Sequence, residues 1–173
     1  MSVSANINGF TVSPVETLTG STDVDTVTIL TSGTLSVSDV ESVVGTTGTE
    51  TLTLLNGTSV ELSSIDSILG STDTDTVTLL DAGSIAVSGV ESLLATGGTD
   101  TVTLLASGDL TESGVDSLNG SAGTDTVTIL GGGSSITTSA VESLIGTTDT
   151  ETLTLLDGGD VALSAIDEVT GSA

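Results

Sequence analysis

A single phrase, written again and again, constrains this chain more than any other feature. Asp-Thr-Val-Thr-Ile-Leu at 25–30 returns as Glu-Thr-Leu-Thr-Leu-Leu at 50–55 and 151–156, and as close variants at 75–80, 100–105 and 125–130. A second phrase, near Val-Glu-Ser-Leu, begins at Val15, Val40, Ile65, Val90, Val115, Val141 and Ile166. The spacing is 25 residues, with one copy of 26 where an extra residue enters the stretch 131–140. Self-similarity at such a period marks a stacked repeat in which each unit buries its apolar face only against its neighbours.

Within each copy, short runs alternate apolar and polar residues, and Gly, Ser, Thr and Asp separate them. Val, Ile and Thr dominate the runs, which favours strands and turns. No apolar stripe at helical spacing survives the Thr and Gly content. Three short strands per 25 residues, repeated without hairpin turns of a fixed Asn-Gly type, predict an all-β single domain: a right-handed parallel β-solenoid (β-helix) of about seven coils. The solenoid spans 1–173, with an N-terminal partial coil at 1–14, six full repeats at 15–165 and a C-terminal partial coil at 166–173.

If each copy is one coil, like residues stack about 4.8 Å apart. Val27, Leu52, Val77, Val102, Val127 and Leu153 would form one inward ladder. Ile29, Leu54, Leu79, Leu104, Ile129 and Leu155 would form a second, and the Val or Ile opening each copy a third. Leu30, Leu55, Leu80, Leu105, Leu130 and Leu156 break the alternation. The reading favoured here turns them inward at a corner; exposed, they would form a lateral contact stripe.

Charge sets the partners. The 173 residues include 24 Asp and Glu and no Lys, Arg or His, giving a net charge of -24. Phosphate recognition needs basic side chains, so nucleic acid and anionic membrane surfaces are excluded as direct partners. No apolar run approaches the length of a membrane span, so membrane insertion is not expected. Without His, Cys or Lys there is no ordinary nucleophile or base, and acids repeated at every copy read as architecture, so we expect no enzyme. The surface invites cations.

Under one-coil stacking the acids fall into two ladders. Glu16, Glu41, Asp66, Glu91, Asp116, Glu142 and Asp167 make one; Asp25, Glu50, Asp75, Asp100, Asp125 and Glu151 make the other. Like charges about 4.8 Å apart repel by roughly 1 kcal/mol in bulk water. Either the carboxylates splay into solvent or divalent cations sit between them, and hard oxygen ligands suit Ca²⁺.

The turns carry a resemblance. Gly-Ser-Ala-Gly-Thr-Asp-Thr-Val-Thr at 120–128, with related stretches from Gly45 and Ala95, resembles the nonapeptide of RTX, or hemolysin-type, calcium-binding repeats. The whole repeat is similar to β-strand repeats of large bacterial surface and type I-secreted proteins. That resemblance implies calcium at Asp23, Asp25, Glu50, Asp73, Asp75, Asp100, Asp125, Asp149 and Glu151, although Asp stands in place of the second Gly at 23, 73 and 149. It also implies an extracellular or cell-surface location reached by a non-Sec route. The opening residues 1–10 accord with such a route, having neither a basic nor an apolar signal region.

The ends and the Thr pairs give two further expectations. The C-terminal half-coil and the N-terminal residues nearly rebuild one coil, so copies would stack head to tail into filaments. The contacting residues would be Ser2, Val3, Ser4, Ile7, Phe10 and Val12 against Ile166, Val169, Gly171 and Ala173. The partner is then the chain itself, in a self-assembling structural protein. As an alternative, Thr26/Thr28, Thr51/Thr53, Thr76/Thr78, Thr101/Thr103, Thr126/Thr128 and Thr152/Thr154 would form six rungs of a flat ice-binding face. A passive spacer within a larger adhesin or surface-layer protein is the third reading.

Overall fold

A computed structural model describes residues 2–4, 10–12, 17–131, 135–157 and 159–171. The described residues hold 21 strands and no helix. Eleven strands form one parallel sheet and ten form the other. Successive strands alternate between the two sheets. Thr17–Thr19, Gly33–Ser38 and Glu50–Leu54 lie in the eleven-stranded sheet; Thr26–Ile29, Ser42–Val44 and Ser59–Ser63 lie in the ten-stranded one. The chain is thus a parallel β-solenoid, as the repeat predicts.

The coil is not the repeat. Each 25-residue copy supplies three strands, whereas a coil closes after two, so a copy advances one and a half coils. The solenoid makes about nine turns rather than seven. Thr26 stacks on Ser42, Ser42 on Glu61 and Glu61 on Thr78, steps of 16, 19 and 17 residues. The longer strands absorb the uneven steps: Ser36–Ser38 meets the strand below, while Gly33–Val37 meets the strand above.

This corrects the ladders. The same phrase falls on opposite sheets in successive copies, because one and a half coils is half a turn out of phase. The strands at 26, 76 and 125 lie in the ten-stranded sheet; those at 50, 101 and 152 lie in the other. One true inward ladder runs Val27–Val43–Leu62–Leu79–Ala95. Another, in the facing sheet, runs Leu35–Leu52–Ile68–Val87–Leu104. All ten of these residues are buried. The two sheets pack through rows such as these, so truncating one aliphatic member, as in Leu52→Ala, costs about 2–5 kcal/mol.

Corners explain why a coil closes. Asp39, Ser64, Gly89, Gly114, Ala140 and Ala165, one per copy, have φ between 52° and 81°, the left-handed region. Each turns the chain so that the following Val40, Ile65, Val90, Val115 or Val141 is buried, with Ile166 partly buried. At every corner but Gly114, the carbonyl of the left-handed residue then presses on a turn glycine of the coil below. A Cβ on Gly70 would lie 1.7 Å from the Gly89 carbonyl oxygen. These corners also lie on alternating edges, so the opening Val and Ile residues form no single ladder.

Leu30, Leu55, Leu80, Leu105, Leu130 and Leu156 are 44–62% exposed, which overturns the inward-corner reading. The Leu80 amide still donates to the Leu62 carbonyl at 2.8 Å, so strand geometry persists one residue past the inward Leu79. Alternation then points Leu80 outward.

Candidate functional site

The most unusual chemistry lies on the two edges of the solenoid, in the acids that open the strands. Asp25, Glu50, Asp75, Asp100, Asp125 and Glu151 are buried, none more than 1% exposed. No basic side chain exists to pair with them. A buried carboxylate therefore needs backbone N–H donors.

The local turn provides them. The Asp75 carboxylate accepts from the Ser71 amide at 2.6 Å and the Ser71 hydroxyl at 3.0 Å. Its other oxygen accepts from the Thr58 amide, one coil below, at 3.1 Å. Asp125 repeats this with Ser121 at 2.6 and 2.9 Å and the Gly108 amide at 3.2 Å. Asp25 accepts from the Ser21 amide at 2.5 Å. The longer Glu50 accepts from the Thr46 amide at 3.3 Å and hydroxyl at 2.5 Å. Glu151 accepts from the amide and hydroxyl of Thr147.

The second set of acids completes the arrangement. The amide of Asp25 donates to Glu41 at 2.8 Å, that of Glu50 to Asp66 at 2.8 Å, and that of Asp75 to Glu91 at 2.9 Å. Asp100 donates to Asp116, Asp125 to Glu142 and Glu151 to Asp167 in the same way. The two like-charge ladders expected from the sequence are therefore not present. Acids of the two sets alternate along each edge, and each carboxylate caps amides that strand pairing leaves unbonded. The result is a carboxylate–amide seam that ties coil to coil.

Residue length follows the seam. Five of these pairs combine one Asp with one Glu; Asp100–Asp116 combines two short acids. In that copy Ala95 replaces the turn glycine and lengthens its strand to Ser92–Ala95. The turn passes through Gly97 and Gly98 at φ 145° and 95°, and Thr96 donates its hydroxyl to the Leu79 carbonyl at 2.7 Å. Asp100 keeps the Gly83 amide at 3.0 Å, but its Oδ2 has no partner. Burial, opposed by the Gly83 bond and assisted by Asp116, raises the Asp100 pKa.

Of the nine calcium candidates, six are these buried seam acids. Asp23, Asp73 and Asp149 are exposed at turn tips, where their amides donate to Ser21, Ser71 and Thr147 hydroxyls. Among the described residues no three acids come together as a metal-holding group.

The Thr pairs need a correction of the same kind. All twelve threonines are outward and half-buried, but they do not form one face of six rungs. Thr26, Thr28, Thr76, Thr78, Thr126 and Thr128 lie on the ten-stranded sheet; Thr51, Thr53, Thr101, Thr103, Thr152 and Thr154 lie on the opposite one. Even on one sheet the ranks are broken by other residues. Thr28 is followed outward by Val44 and then Ser63, and Thr78 lies between Glu61 and Leu94. Thr53 lies between Ser36 and Leu69, and Thr103 between Ala86 and Asn119. Thr128 has Thr111 on one side but Ile145 on the other. Only Thr154, between Thr137 and Thr170, belongs to three stacked threonines. The half-turn phase of the repeat is the cause, because it interleaves each Thr pair with the two other strands of the copy.

At the ends, Ser2, Val3 and Ser4 form a strand on Thr17–Thr19, and Phe10 and Val12 lie in one on Thr26–Ile29. Val169 is 45% exposed and Gly171 is exposed, while Ile166 is partly buried. Ile7 and Ala173 lie outside the described residues.

Glu112 is the residue that motif reading missed. It is 1% exposed and points inward from Gly108–Ser113, at the position held by Leu62 one double repeat earlier. Its one amide donor is Val115 at 3.1 Å. Burial, opposed by that bond and assisted by Asp116, pushes its pKa up to about 7. Aligning the copies would have flagged it: Val37, Leu62, Val87, Thr138 and Leu163 occupy the same column, where Glu112 is the one acid. No protein-family model, curated protein or solved structure matches the chain.

Proposed function

We propose that this chain is an extracellular structural protein whose solenoids stack head to tail into filaments. The observation that carries the reading is the last described coil. Leu163 and Val169 stack on fully buried Leu144 and Leu153, yet are 39% and 45% exposed. They continue the inward rows and present unpaired strand edges, which is the surface a further parallel coil covers. A second copy supplies such a coil through its Ser2–Ser4 and Phe10–Val12 strands, giving a heterologous, non-closing contact.

In such a filament the coils of successive copies follow one another without a break, each rising about 4.8 Å. The absence of Lys and Arg leaves trypsin no cleavage site, in keeping with exposure outside the cell. Calcium enters this proposal as a screen for the net charge of -24 between stacked copies.

Negative-stain microscopy and light scattering of the purified chain, with and without Ca²⁺, test it. The expected result is rods many subunits long and one solenoid wide. Uniform monomers under every ionic condition would refute it.

A further inference from the structure

We propose that Glu112 makes the middle of the solenoid a proton-operated joint, closed when its carboxyl is neutral and loosened when it ionises. The geometry is that of a core position occupied by an acid. Glu112 lies in the inward row Val60–Val77–Leu93–Glu112–Ile129, with aliphatic residues stacked directly below and above it. The Val115 amide, at 3.1 Å, is a single donor, where the seam carboxylates Asp75 and Asp125 have three each.

Apart from the Val115 amide, nothing around it favours a charge. The strand below, Ser92–Ala95, has no titratable group; the strand above, Asp125–Ile129, begins with Asp125, already capped by Ser121. Asp109 lies on its own strand, and the corner beyond contributes Asp116. In the facing sheet, Thr101–Leu104 follows Asp100 and Ser117–Asn119 follows Asp116. Every charge in reach is negative.

The surroundings also lack bonds that the matching seams have. The seam beside this coil is the Asp100–Asp116 pair, with its partnerless Asp100 oxygen. Two residues before Glu112, Leu110 borders a cavity of about 120 Å³, shared with Val87 and Leu104. Water therefore has space close to a charge that needs it. Loosening of Gly108–Ser113 and the 114–116 corner would separate the coils on either side without unfolding them.

Hydrogen exchange on the full chain, corrected for the intrinsic pH dependence of exchange, reads the joint. Glu112 ionises near 4.5 in an opened segment and near 7 in the closed one. Protection across 106–118 should therefore fall by on the order of 70-fold between pH 5 and pH 8. The matched segment 57–67, with Leu62 in the same position, is the internal control and should not fall this way. Glu112→Leu, which copies Leu62, and Glu112→Gln should both abolish the drop. Equal pH dependence in the two segments, or a drop that persists in either variant, would overturn the proposal.

Discussion

Replacing Asp75 by alanine tests whether the strand-opening acids are capping groups or cation ligands. The substitution takes an acceptor from the Ser71 amide, the Thr58 amide and the Ser71 hydroxyl. Ser71 and Thr58 are not fully buried, so water recovers part of each lost bond. At about 1 kcal/mol per stranded group, the loss is about 3 kcal/mol. Relief of repulsion from the neighbouring Glu91 carboxylate returns about 1 kcal/mol. The net cost, about 2 kcal/mol, lowers the thermal midpoint by about 4–8 °C for a chain of this length. Asp73→Ala, at the exposed tip of the same turn, should stay within about 0.5 kcal/mol of the parent. Thermal melts followed by circular dichroism, in chelator and in Ca²⁺, give the comparison. The reasoning fails if Asp73→Ala costs as much as Asp75→Ala, or if the Asp75 cost appears only when Ca²⁺ is present.

Three other substitutions probe different parts of the coil. Gly70→Ala forces a Cβ to within 1.7 Å of the Gly89 carbonyl, so a loss of about 3 kcal/mol or more is expected in a denaturation midpoint. Ala140→Gly relieves a left-handed alanine at φ 52° and should stabilise the fold by about 0.5–1 kcal/mol after the entropy cost of glycine, seen as a higher thermal midpoint, whereas Gly89→Ala should lower it. Glu112→Leu addresses pH. Because the folded value of about 7 exceeds the usual 4.5, the parent is fully stable with respect to this group below pH 4.5. It loses up to about 3 kcal/mol as pH rises through 7. Glu112→Leu should therefore be the more stable protein at pH 8, and equal midpoints at pH 8 would contradict this.

Much of the fold was legible because repetition multiplies weak signals. No single run such as Thr17–Thr19 identifies a strand, but seven copies of the same alternation do. Alternation also placed Val27, Ile29, Leu52 and Leu54 inside and the flanking threonines outside, as observed. What it could not place was which threonines share a face, since Thr28 and Thr53 point outward from opposite sheets. The phase was also written in the chain, in a detail that one-coil stacking ignores. From position 41 onward the second acid reads Glu41, Asp66, Glu91, Asp116, Glu142, Asp167, a strict alternation with twice the basic period. Two copies make three coils, and that doubling is what it records.

Sequence by itself determined that the chain repeats, that its repeats are strands and turns, and that nothing in it can neutralise its acids. How many strands close a coil was decided by the tertiary structure. Closure depends on left-handed corners at residues as ordinary in sequence as Ser64 and Ala140, and on the fit of Gly70 beneath a carbonyl in the next coil. From that closure follows the fate of the acids. A carboxylate read along the chain is a charge facing its own copies about 25 residues away. Wound at two strands per coil, it meets instead the amides of the coils above and below. Spacing along the sequence does not reveal those amides, because they become neighbours only once the chain has turned.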